Sequence, residues 1–72
     1  MSPRLSSQAK VLAVYPRAEV YHQPLLGRAY YAVFVDRENL RRRIIGEGWT
    51  ASKAWVNGAK NIAEGKEPYL CG

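Results

Sequence analysis

The chain has 72 residues, 47% hydrophobic and 24% charged, with 11 Lys and Arg against 6 Asp and Glu, a net charge of +5. This predicts one small globular domain, 1–72, with a marginal core that packing against a partner would supplement, and argues against disorder over most of its length. A single cysteine, Cys71, excludes an intramolecular disulfide, no apolar run approaches the ~20 residues of a membrane span, and the start lacks a signal-peptide core, so a cytoplasmic protein is expected.

Residues 1–5 read as a flexible lead-in. Ser6 or Ser7 can cap a short helix by accepting a hydrogen bond from a backbone N–H one turn on. Val11, Leu12 and Tyr15 then fall on one helical face, and Pro16 stops the helix near Val14 or Tyr15. A strand over Val11–Tyr15 competes with this reading; the spacing favours helix. Ala18–Gln23 alternates with a period of two, hence a strand. Pro24–Arg28 is a connection. Tyr30–Val35, aromatic and β-branched, is the strongest strand. Asp36–Asn39 is a turn. Arg41–Ile45 is a third strand, and Gly46-Glu47-Gly48 is expected to end it in a tight turn.

A second helix follows. Thr50 is its cap, and Ala51, Ala54, Trp55, Gly58, Ala59 and Ile62 form an apolar stripe. Gly65 stops it. Residues 66–72 form a tail in which Tyr69 and Leu70 can fold back on the core. The order is α-β-β-β-α. Short connections predict an α+β fold, a three-stranded antiparallel sheet packed against two helices.

Chemistry is sparse. One histidine, His22, and one cysteine, far apart in sequence, make no metal set and no nucleophile–base pair. The carboxylates are scattered, and Glu47 reads as a turn residue favouring the next helix N-terminus. Neither an enzyme nor a cofactor is expected.

The basic residues carry the functional expectation. Arg41, Arg42 and Arg43 run along the third strand, with neighbours on opposite sheet faces. Lys53, Asn57 and Lys60 make a polar stripe on the second helix, suited to phosphate oxygens. Trp49, just before the helix, can stack on a base or anchor a protein partner. Either Tyr31-Val33-Val35 or Tyr30-Ala32-Phe34 faces the helices. The other set faces outward, where it can take single-stranded nucleic acid or a second copy of this protein. The competing reading of the arginines is a charged edge strand that blocks sheet-to-sheet aggregation, which needs no partner.

The α-β-β-β-α order, with Gly46-Glu47-Gly48 leading into Thr50-x-x-Lys53-Ala54, resembles the double-stranded RNA-binding domain family. That resemblance implies phosphate contacts at the start of the second helix. It departs at Ala51, Ser52 and Trp55, where the family carries lysines, and in Pro24–Arg28, which lacks a Gly-Pro-x-His element. Gly46–Trp55, with Tyr15-Pro16-x-Ala18, also looks like small uncharacterised phage or prophage proteins, which implies accessory or host-interaction roles. The expected function is a small basic binding module for nucleic acid or an acidic protein surface. The alternative is a protein-interaction or homodimeric module.

Overall fold

The computed structural model describes residues 6–22, 30–35 and 43–70. Ser6 caps helix α1 (Ser7–Val14), its hydroxyl accepting from the Ala9 N–H at 3.1 Å. The Tyr15 N–H closes the last turn on the Val11 carbonyl at 2.7 Å, and Pro16 prevents a further one. The helical reading of Val11–Val14 therefore holds. Val11 is fully buried.

Three strands follow, β1 (Glu19–His22), β2 (Tyr31–Phe34) and β3 (Arg43–Gly48), then α2 (Ala51–Ala63). A two-residue strand, β4 (Tyr69–Leu70), lies where the tail was expected to fold back. The sheet order is β1-β2-β3-β4, all neighbours antiparallel. This is the α+β meander expected from the sequence, with one short strand added at the β3 edge.

Thr50 caps α2 by accepting from the Lys53 N–H at 3.1 Å. Gly65, at φ +74°, lies just past the helix end, in a conformation that costs L residues about 1–2 kcal/mol.

The expected turn at Gly46-Glu47-Gly48 is instead strand. β3 runs through to Gly48, and neither glycine has a positive φ. Both positions lack a side chain because α2 lies flush on them. A Cβ on Gly46 would stand 2.5 Å from the Ala54 carbonyl oxygen, and one on Gly48 2.7 Å from Lys53 Cβ. No side chain fits in either gap.

β3 also carries a bulge. Val33 pairs with Gly46 and Phe34 with Ile44, which leaves Ile45 as an extra residue. Ile44 therefore points to one face, and Ile45 joins the cluster on the other.

The helix side of the sheet carries Ala18, Val33, Val35 and Ile45, packed with Val11 of α1 and Ala54 and Trp55 of α2. The opposite side buries Ala32, Phe34 and Ile44, with Tyr21 against them. Of the two alternating sets in and beside β2, Tyr31-Val33-Val35 faces the helices and Tyr30-Ala32-Phe34 faces outward. Among the described residues, Ile44, Ile45, Val11 and Val33 are the largest fully buried side chains, each stabilising by about 1.5–3 kcal/mol.

Candidate functional site

Lys53 lies in the first turn of α2 and is exposed, its Cβ beside Gly48 at the end of β3. That turn has no acidic residue. A helix N-terminus carries partial positive charge and favours anions, so a lysine there is electrostatically misplaced unless something negative joins it. Lys60, two turns on, is also exposed and lies on the same side, about 10 Å further along the axis.

Asn57, between them, has a different partner from the one expected. Its side-chain N–H donates to the Glu47 carbonyl oxygen at 2.5 Å. One turn later, Asn61 donates to the Ile45 carbonyl at 2.7 Å. Alternate strand residues and every fourth helical residue both advance about 6–7 Å. The two amides therefore meet two carbonyls of one strand, beyond the point where β4 stops. Only Arg43 and Ile44 pair with β4.

Arg43, the first residue of β3, is exposed and lies on the helix side. With Arg17, Val14, Tyr15, Pro16 and Val35 it lines an open cleft of about 310 Å³ at the end of α1. It shares the helix-side layer with Lys53, at the opposite end of β3, about 15 Å away along the strand. Arg41 and Arg42 lie outside the described residues.

Trp49 is 54% exposed and sits at the end of the outer face. The edge of one ring meets the face of the other where it packs on Tyr30, centroids 5.6 Å apart and planes at 89°. The Tyr30 hydroxyl donates to Glu47 Oε2 at 2.5 Å. That hydrogen bond, then partial burial, then the Glu47 charge push the Tyr30 phenol up to about 12. On the same face, Tyr21 donates to Glu19 Oε2 at 2.6 Å and packs edge-on against Phe34. Tyr69, paired with Ile44, is 46% exposed on that face as well.

The outer face thus joins aromatics to carboxylates, while Lys53, Lys60 and Arg43 lie on the helix side. Sequence reasoning missed the Tyr30–Glu47 bond, which links residues 17 apart, and missed Asn61 entirely. The i, i+4 repeat of Asn57 and Asn61 is the one signal that could have found the latter.

His22 is exposed, its ring 5.0 Å from that of Tyr31. Among the described residues no group of three or more His, Cys, Asp or Glu could hold a metal ion. No helix among them is long and apolar enough to cross a membrane. Comparison with known families, with curated proteins and with solved structures finds no match to this sequence.

Proposed function

We propose that the protein is a small, basic, non-enzymatic binding module that takes a polyanion, nucleic acid first among them, on its helix layer. The observation behind this is Lys53, a cation in the first turn of a capped helix that has no acidic residue in that turn. A phosphate group there meets the ammonium and the helix N-terminus together. Lys60 extends the contact along the same side. Asn57 supports α2 rather than the ligand.

The outer sheet face is a poorer place for a nucleic acid. Glu19 and Glu47 put negative charge among its aromatics.

Titration with duplex and single-stranded DNA and RNA, followed by amide NMR at several salt concentrations, tests this reading. Shifts are expected at Thr50–Lys60, with affinity falling steeply as salt rises. Binding that ignores salt, or no shift at low salt with any of the four, rejects it.

A second reading is self-association through the outer face. It is favoured by the exposure of Trp49 and Tyr69 there. It predicts a doubled mass in sedimentation that Trp49→Ser returns to the monomer value.

A further inference from the structure

We propose that Asn57-Gly58 is a deamidation site that the fold holds closed, so that separation of α2 from β3 leaves a lasting chemical record. It is the one Asn-Gly pair in the sequence; the other asparagines precede Leu40 and Ile62. In an unfolded segment the backbone nitrogen of Gly58 is unhindered, since glycine has no Cβ beside it. It attacks Cγ of Asn57. A new N–Cγ bond forms, the Cγ–Nδ2 bond breaks, and ammonia leaves with the proton given up by Gly58. Water then adds to one carbonyl of the cyclic imide and cleaves a ring C–N bond. The product is aspartate or isoaspartate, and water is the only co-reactant.

Three features of the fold oppose the first step. Asn57 lies inside α2, where the helical backbone turns the Gly58 N–H along the axis and away from the preceding side chain. The departing nitrogen, Nδ2, is held on the Glu47 carbonyl. The Gly58 backbone itself is pressed against Gly46, so closely that a Cβ on Gly46 would not fit between them. Ring closure therefore requires α2 to leave β3.

The product cannot dock again as well. A carboxylate at position 57 presents an acceptor to the Glu47 carbonyl in place of a donor, and the carbonyl loses its partner. Isoaspartate adds a backbone carbon to the helix. Asn61 is a built-in control. It makes the same kind of bond, to Ile45, but the β-branched Ile62 follows it and hinders attack.

The test is peptide mass spectrometry of the full-length protein after incubation in mildly alkaline buffer, with and without unfolding urea. Asn57 should convert in urea, and at least about tenfold more slowly without it, because only locally opened molecules react. Asn61 should stay unchanged in both. Val11→Ala loosens the contact beneath Gly58 without touching Asn57, and should raise the rate in native buffer towards the rate in urea. Equal rates at Asn57 with and without urea overturn the proposal. So does Asn61 converting as fast as Asn57, or a Val11→Ala variant with lowered Tm and no acceleration.

Discussion

Gly46 of β3 and Gly58 of α2 meet backbone to backbone, with a tight fit for a Cβ on Gly58 and no space for one on Gly46. A methyl on Gly46 would fall within 2.5 Å of both the Ala54 carbonyl oxygen and Gly58 Cα, which are main-chain atoms that cannot step aside. A methyl on Gly58 would meet branch methyls of the Val11 and Ile45 side chains at 3.3 and 3.4 Å, which must give by a few tenths of an ångström, and Gly46 Cα at an ordinary 3.8 Å. Gly46→Ala is therefore expected to lose about 3 kcal/mol or more. Gly58→Ala should stay within about 1 kcal/mol of the parent, because better helix propensity offsets the tight fit. Urea midpoints of the two variants check the order.

The asparagine pair should also separate. Asn61→Ala leaves the carbonyl of the buried Ile45 without its donor and should cost about 1–3 kcal/mol. Asn57→Ala frees the Glu47 carbonyl at a more exposed position, where water replaces the amide, and should cost under about 1 kcal/mol. Thermal unfolding of both single variants reads the difference.

Tyr30 gives a pH signature. Its phenol titrates at about 12 in the folded protein, against an ordinary value of 10.0. The folded state thus keeps a proton that the unfolded state releases first. The stability this contributes is complete below about pH 10 and is lost as pH rises from about 10 to about 12. Glu47→Gln should bring the phenol back towards its ordinary value and narrow that window. Ultraviolet titration of each protein against its Tyr30→Phe counterpart isolates the signal.

For the polyanion interface, each lysine that meets a phosphate adds about 0.9 to the slope of log affinity against log salt on duplex DNA. Lys53→Ala with Lys60→Ala should lower that slope by about 2 and weaken binding to all sequences alike. Fluorescence anisotropy at several salt concentrations measures it. An unchanged slope places the contacts elsewhere.

How far these features are legible in the sequence depends on how local their causes are. α2 is visible because its stripe, the Thr50 cap and the Gly65 stop all lie within the helix or beside it. β2 is visible from its own run of aromatic and branched residues. Gly46 and Gly48 mislead, because glycine read locally means a turn. Here its cause is a helix that arrives several residues later and lies on the strand. Asn57 misleads for the same reason. On the helix alone it belongs to the polar stripe with Lys53 and Lys60, and only the edge of β3 reveals its partner. Tyr30 and Glu47 come together through the register between β2 and β3, which no single segment encodes.

The bulge at Ile45 sets what the outer surface tolerates. Seen from that side, β3 presents Ile44, then Glu47, then Trp49, as a regular strand one residue shorter would. The added isoleucine goes wholly to the helix side, next to Gly46. Loss of residue 45 therefore leaves the outer face as it is: Glu47 still reaches Tyr30, and Trp49 still packs beside it. One residue inserted after Gly46 instead shifts the phase of the pleat, sending a carboxylate beneath α2 and a glycine into the open. The count of residues in β3, as much as their kind, decides which side of the sheet bears charge.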